Sequence, residues 1–508
     1  MKLLAVGMTT HDNNVSYFDG INIKYCKFER TKQEKHFGFD NPWEWIKEVE
    51  KMWNFKIEEI DEIGIDFDAF AYSDNAEEYN QILNTQELYY YVPDKSNPFK
   101  RYGAKKVINI NHHFAHSLST WMLEDKQNKP TTRIVIDGIG NDKSFTIFKN
   151  NEIVRFGLFK DSSIGYEMDL AGGWLGVKSS NALDNAGKVM GLQSYGKIDK
   201  DFLNKLKKYS IDEVKEIFNT KNWEKHKNDE LLARLTPLDW IKTVHESIGD
   251  LLVNLFKEYA EPEEIISYSG GVAQNVVWNT KLKENFKNII IPPHSGDEGT
   301  SLGIIEFLRI KNNLNFFEIN NFPYIQNDAN PLDDPSEETI KFAAKCLSEG
   351  KIIGWYQGNG EVGPRALGNR SILMDPRIKD GKKNINKIKK RENYRPFGAS
   401  ILSEHCDQYF DTSYEDRYML FTKNFIVNDF PAITHVDNTC RVQTVKKESG
   451  NFRKLIEEFY DITGCPLLLN TSLNINGKPI SGYKENAIHL FESTNIDCMF
   501  IGNEILLK

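Results

Sequence analysis

The chain has 508 residues, 40% hydrophobic and 27% charged, with a net charge of −9 and a pI near 5.8. That length predicts two or three domains with sizeable cores, and the composition excludes wholesale disorder. The acidic balance speaks against a broad nucleic-acid footprint, and no run of roughly 18 apolar residues reads as a membrane span.

The first apolar run, residues 3–10, is too short for a signal peptide and meets the polar His11-Asp12 at once. A polar turn at 11–14 follows. Residues 15–25 then carry the hairpin signal Asp19-Gly20. A second copy of this pattern begins at 133–136. It continues through the turn Asp137-Gly138-Ile139-Gly140-Asn141-Asp142, the run 144–148, the turn Asn150-Asn151 and the run 153–159. Both copies read as strand, polar turn, strand, hairpin, strand. Helical patterns follow each copy, at 44–53 and 240–259. Two βββα units predict an α/β nucleotide-binding fold of the actin, sugar-kinase and Hsp70 type, in which two turns face each other around phosphates. A polar segment at 327–337 with two prolines reads as a linker. It divides the chain into 1–326 and 338–508. The second part alternates strand-like runs (352–356, 399–402, 466–470) with a helical run (378–391), predicting α/β with a mixed sheet. The six cysteines are scattered without a CxxC pair. They read as small buried hydrophobes in a reducing, cytoplasmic setting.

Several segments could carry chemistry. In Asn111-His112-His113-Phe114-Ala115-His116, His112 and His116 share a helix face and can chelate one divalent ion. The alternative is a helix start with structural histidines. Because position 113 is His, HExxH peptidase chemistry is not supported. Asp137 and Gly138 end an apolar strand, where a carboxylate can hold a metal and main-chain N–H groups can cradle phosphate, or the segment is a plain turn. Ser269-Gly270-Gly271-Val272-Ala273-Gln274-Asn275 reads as strand, double glycine and helix start, allowing close approach by an anion. Asp297, in a glycine-broken loop, is either a metal ligand or a helix cap. Further on, Gly363-Pro364-Arg365-Ala366-Leu367-Gly368-Asn369-Arg370, Lys389-Lys390-Arg391, Arg395, Arg441 and Asn470-Thr471-Ser472 put cations and polar donors on short turns. These suit phosphate recognition. Solvated surface charge is the competing reading, and it fits Lys389-Lys390-Arg391 better than Arg365 or Arg441.

The strings NHHFAH, IDGIGND, GKVMGLQSYG, SGGVAQN, GPRALGNRSIL, RPFGASIL and LNTSLN occur in the order found in the NodU/CmcH carbamoyltransferases, and the chain resembles that family over nearly its whole length. The resemblance implies an N-terminal domain similar to TsaD, with the actin-like duplication, and a C-terminal domain similar to YrdC. It further implies that the C-terminal domain makes carbamoyl-adenylate from carbamoyl phosphate and ATP, with magnesium accompanying ATP. The N-terminal domain then passes the carbamoyl group to a hydroxyl of a small, sugar-like acceptor. Carried over position by position, His112, His116, Asp137 and Asp297 resemble ligands of a divalent metal, iron(II) by family habit, with zinc or manganese not excluded by the donor set. Gly138, Gly187, Lys188, Gly270, Gly271 and Asn275 resemble nucleotide contacts. Arg365, Lys389, Arg395, Arg441, Asn470 and Ser472 resemble the carbamoyl phosphate and ATP pocket. His11 is expected to act as general base. Where the family has glutamate before GKVMGL this chain has Ala186, so a ribose contact is expected to be lost or to pass to Asp184 or Asn185. The first turn reads Asn13-Asn14-Val15-Ser16 where the family has Gly and Ala. A homodimer is the base-rate expectation. Two other readings are an actin-like small-molecule kinase and a tRNA-modification-type ATP-binding protein. The kinase explains neither the HxxxH nor the basic turns after residue 360, and the acidic charge and fused second part disfavour tRNA work.

Overall fold

The computed structural model describes all residues except 9–10, 40–43, 68–87, 93–98, 100–102, 105, 222–228 and 328–331. Thr9 and Thr10, the end of the first apolar run, and part of the expected linker therefore lie outside the described residues.

Among the described residues, three sheets organise the fold. The first comprises β1 (Leu3–Met8), β2 (Asn14–Phe18), β3 (Ile23–Lys27), β4 (Glu62–Phe67), β5 (Tyr89–Tyr91) and β6 (Val107–Ile110), in the order β3-β2-β1-β4-β6-β5. The second comprises β7 (Thr132–Gly140), β8 (Lys143–Lys149), β9 (Glu152–Leu158), β10 (Ile265–Ser269) and β11 (Asn288–Ile290), in the order β11-β10-β7-β8-β9. In each, an antiparallel three-strand meander is extended from its first strand by parallel strands: β4 then β6 beside β1, and β10 then β11 beside β7. The sequence echo is thus a structural duplication, and the fold is the expected actin-like α/β type. The polar turn read at 137–142 is shorter than expected. Strand β7 continues through it with a register shift between Ile136 and Gly140, and the reversal is made by Asn141 and Asp142 in left-handed conformations. Asp137 therefore sits on a bulge, a device that re-aims a side chain.

Between the two sheets lie α1 (His112–Leu118) and, in the same layer, the helix Thr300–Lys311. Every residue of α1 is buried. The two helices touch through Gly303, where a Cβ would fall 1.8 Å from the Ala115 carbonyl oxygen. Leu3, Ala5, Phe114, Val135, Ile304 and Leu308 pack around this contact into one core. The remaining helices near the site are α2 (Ile164–Trp174), α3 (Asn185–Leu192), α4 (Pro237–Tyr259) and α5 (Val276–Asn285).

The third sheet lies in the C-terminal part. It is mixed, with eight strands: β12 (Ile353–Tyr356), β13 (Arg370–Met374), β14 (Gly398–Leu402), β15 (Thr422–Asn424), β16 (Thr439–Val445), β17 (Leu467–Ser472), β18 (Cys498–Ile501) and β19 (Glu504–Leu507). The helical run expected at 378–391 is realised as Gly381–Ile388. All six cysteines are buried thiols. Among the described residues, no helix is long and apolar enough to cross a membrane.

Candidate active site

Asn111 caps α1 by accepting from the Phe114 N–H at 3.0 Å, so the helix starts where its histidines face the end of β7. Gly140 makes room, since a Cβ there would lie 2.2 Å from the His112 ring. His112 and His116 aim their Nε2 atoms at one another, 3.1 Å apart. Asp137 Oδ2 stands 3.3 Å from His112 Nε2 and 3.9 Å from His116 Nε2, and Asp297 Oδ1 stands at 3.6 and 3.4 Å. One ligand atom from each of the four residues falls within 4.8 Å of all the others. His113 turns away to Thr146 (2.8 Å) and is kept neutral by burial and by His112.

The four converging atoms fit a divalent cation. Two imidazoles and two carboxylates packed at these distances repel unless protons or a metal lie between them. The donor set suits iron(II), zinc or manganese. A residue absent from the sequence reading completes the arrangement. Asp66, at the end of β4, lies 2.7 Å from His112 Nδ1. A carboxylate behind an imidazole fixes its tautomer and raises its basicity as a ligand. The sequence signal was present, since an acid closing an apolar strand is the same feature that singled out Asp137. Gly271 likewise serves this centre: its N–H donates to Asp137 Oδ1 at 2.7 Å. Gly270 adopts φ +93°, and a side chain there would also overlap the Ile136 carbonyl, so both features require glycine.

His11 faces this cluster from the first sheet, its Nδ1 3.0 Å from Asp12 Oδ2 and 3.7 Å from Asp297 Oδ2. Burial alone would lower its pKa, but the hydrogen bond to Asp12 and the charges of Asp297 and Asp12 raise it to about 9. Asp12 is the hub of a wider network. The same Oδ2 meets His36 Nδ1 at 2.8 Å, and Oδ1 pairs with buried Lys27 at 2.9 Å. His36 continues to Asp184 at 3.3 Å, and Lys35 also pairs with Asp184.

Around GKVMGL the structure redistributes the expected contacts. Asp184 is taken by Lys35 and His36. Asn185 donates to the Asp169 carbonyl at 3.1 Å. The carboxylate beside the motif is that of Asp169 on α2, which accepts from the Ala186 N–H at 2.8 Å. Burial pushes its pKa up to about 6. Gly138 and Gly187 face open space. Lys188 is buried and bonds the Lys178 carbonyl (2.5 Å) and Glu392 (2.9 Å), bridging the two parts of the chain. Asn275 caps α5 and donates to His245 Nε2 at 3.0 Å, so both ends of its amide are engaged within the fold.

The cations of the C-terminal part gather where that part meets the first. Arg365 Nη2 reaches across to the Gln274 carbonyl at 2.7 Å, while its Nε and Nη1 are buried without partners. Burial and neighbouring Arg441 lower its pKa to about 9. Lys389 is lowered by burial and by Arg391, Arg395 and Lys35. It is held by four oxygens of Ser472 and Asn474 at 2.6–3.2 Å. Arg441 is half-buried, with its Nε atom buried and unpaired, and Arg395 reaches Asn476 at 3.4 Å. Asn470 points inward to Ser400 (2.9 Å) and the Ala366 carbonyl. Mutually repelling cations with idle buried donors are what an anion site presents when no anion balances them.

Two family models match the chain: carbamoyltransferase N-terminus over residues 2–305 and carbamoyltransferase C-terminus over residues 344–508. The chain belongs to the carbamoyltransferase family. This carbamoyltransferase is 31% identical to an uncharacterized protein of Methanocaldococcus jannaschii, over 79% of the chain and 74% of that protein. It is also 31% identical to a 3'-hydroxymethylcephem-O-carbamoyltransferase of Amycolatopsis lactamdurans, over 50% of the chain and 52% of that protein. Among solved structures, component A of the (R)-2-hydroxyglutaryl-CoA dehydratase of Acidaminococcus fermentans aligns at TM-score 0.37 and 14% identity, covering 60% of the chain and 97% of that structure.

Proposed function

We propose that this carbamoyltransferase activates carbamoyl phosphate with ATP in residues 338–508 and transfers the carbamoyl group to a small-molecule hydroxyl in residues 1–326. In the first step water hydrolyses carbamoyl phosphate to carbamate and inorganic phosphate, and a carbamate oxygen attacks the α-phosphorus of ATP. Pyrophosphate leaves, and carbamoyl-adenylate forms. Arg365, Lys389, Arg395 and Arg441 neutralise the phosphates, and Ser472 and Asn474 hold the Lys389 ammonium in place. In the second step the acceptor hydroxyl attacks the carbamoyl carbon and AMP leaves. Asp12 accepts a hydrogen bond from His11 Nδ1–H, which leaves Nε2 as the proton acceptor once the imidazole is neutral; with its pKa raised to about 9, transfer is expected to rise with pH up to about that value. Gly138, Gly187 and Lys188 border the nucleotide, and Asp169 supplies the ribose carboxylate in place of the missing glutamate.

His112, His116, Asp137 and Asp297 are the residues that would hold a divalent metal, which supplies Lewis-acid charge stabilisation when bound. The observation that carries the proposal is the meeting of the two sites. Arg365 bonds Gln274, and Lys188 bonds Glu392, across the junction between the basic pocket and the histidine–aspartate cluster. The acceptor is proposed to be a sugar or glycosylated metabolite. The six buried thiols support a cytoplasmic setting.

The test uses purified protein with ATP and carbamoyl phosphate, with pyrophosphate and ADP both measured. Pyrophosphate release that requires carbamoyl phosphate is expected. ADP formation indifferent to carbamoyl phosphate would instead support a kinase. Mass spectrometry over a panel of hydroxylated acceptors, seeking the gain of one carbamoyl group, identifies the second substrate.

A further inference from the structure

The segment before β13 is folded around a single side chain. Glu361 is fully buried, and its Oε1 accepts three main-chain N–H bonds, from Leu367 at 2.8 Å, Asn369 at 2.8 Å and Arg370 at 3.0 Å. Convergent N–H groups of this kind form a nest, a concavity suited to phosphate or another anion. Here the anion is internal.

The carbonyls of the same loop are also engaged. Asn470 donates to Ala366, Gln443 (2.8 Å) and Tyr324 (2.9 Å) donate to Leu367, and Arg30 donates to Gly363 at 2.7 Å. Gly363 at φ +88° and Gly368 at φ +120° let the chain close on itself. A side chain at 363 would overlap the Pro293 carbonyl, and one at 368 the Phe452 ring. The loop thus has its main-chain groups turned inward, while Arg365 projects from it with two buried, unpartnered guanidinium nitrogens.

We infer that Glu361 is a positioning residue for the donor half-reaction: it fills the loop's own nest, so that Arg365 and not the loop main chain meets the phosphate-bearing substrate. The inference rests on the proposed assignment of this pocket to carbamoyl phosphate and ATP. Each N–H bond to a charged oxygen is worth more than a neutral one, and three of them hold one short loop. Losing them frees Arg365 from the orientation that its Gln274 anchor alone does not set.

The experiment measures carbamoyl-phosphate-dependent pyrophosphate release in the full-length protein and in Glu361→Gln, Glu361→Ala, Arg365→Ala and the double variants, with thermal melts alongside. Glu361→Ala is expected to lower kcat/KM about 100-fold and Glu361→Gln, which keeps an oxygen at the nest, about 10-fold. Each double variant should be no worse than Arg365→Ala alone, because Glu361 acts through Arg365. Fold-losses that multiply in the double variants, or a Glu361→Gln activity equal to that of the parent, would overturn the inference. If Glu361→Ala does not fold, the Glu361→Gln and Arg365→Ala cycle decides alone. A parent protein that releases no carbamoyl-dependent pyrophosphate defeats the proposed function instead, so the two failures are distinct.

Discussion

Replacing Asp66 by Asn tests the proposed metal centre from a residue that is not itself a ligand. Asp66 is buried and its Oδ2 lies 2.7 Å from His112 Nδ1. Asparagine keeps the shape but removes the charge that makes His112 a stronger ligand. Carboxylates in this position are worth about 10–100-fold in metal affinity, or about 1.4–2.7 kcal/mol. Without metal, His112 is held charged: burial opposes this, but Asp66, Asp297 and Asp137 outweigh it. Removing one partner of such a buried pair costs about 3–5 kcal/mol. The metal-free variant should therefore melt lower than the metal-free parent. Isothermal titration of metal-stripped protein with iron(II), under exclusion of oxygen, and with zinc(II) and manganese(II), gives the affinities. Calorimetric melting of the same samples gives the stabilities. Affinity within about threefold of the parent for every metal would refute the assignment of this cluster as a metal centre organised by Asp66.

Other outcomes follow from the same geometry. Arg441→Ala should lower pyrophosphate formation at least about 100-fold, while His11→Ala should spare that step and abolish carbamoylated product. If both variants lose only transfer, the division of labour between the two parts is wrong. Gly303→Ala should cost about 1–3 kcal/mol or more by overpacking, because its Cβ would fall 1.8 Å from the Ala115 carbonyl. It should also weaken metal binding by displacing α1, as read by melting and metal titration. His245, buried against Trp278, has its pKa lowered from 6.5 to about 3, by burial first and then by Lys242 and Lys281. A depressed folded-state pKa means that its stabilising contribution is complete above pH 6.5 and is lost as pH falls towards 3. Near pH 5 the loss is about 2 kcal/mol, which should be absent from the pH–stability profile of His245→Phe.

The actin-like duplication was legible because hairpin signals such as Asp19-Gly20 and Asn150-Asn151 act locally and are repeated. The candidate histidine pair was legible because i,i+4 residues share a helix face, and Asp137 because it ends an apolar strand; Asp297, which reads as well as a helix cap, joined the proposed ligand set through the family resemblance. Asp66 carried the local signal of an acid closing an apolar strand, but nothing in that signal points to its partner His112, 46 positions away; Glu361 was not singled out because its work depends on a loop fold that no local pattern declares. Asp169 escaped for a related reason: helix α2 is apolar on several faces, and only the tertiary fold brings its carboxylate to Ala186. Lys188 was expected, through the resemblance, as a nucleotide contact; its ion pair with Glu392, 204 residues away, could not be read from either neighbourhood.

The quartet also has a mechanical side. Its members come from both copies of the duplication. His112 is braced by Asp66 of the first sheet, Asp137 rises from the second, and Asp297 follows the last strand of the second on the way into the helix that packs against β1. A cation held by all four would rivet the two copies together. Any shift of one copy against the other would stretch the coordination sphere, so ligand geometry and the spacing of the copies would be one coordinate. A spectroscopic probe of the metal would then double as a gauge of that spacing.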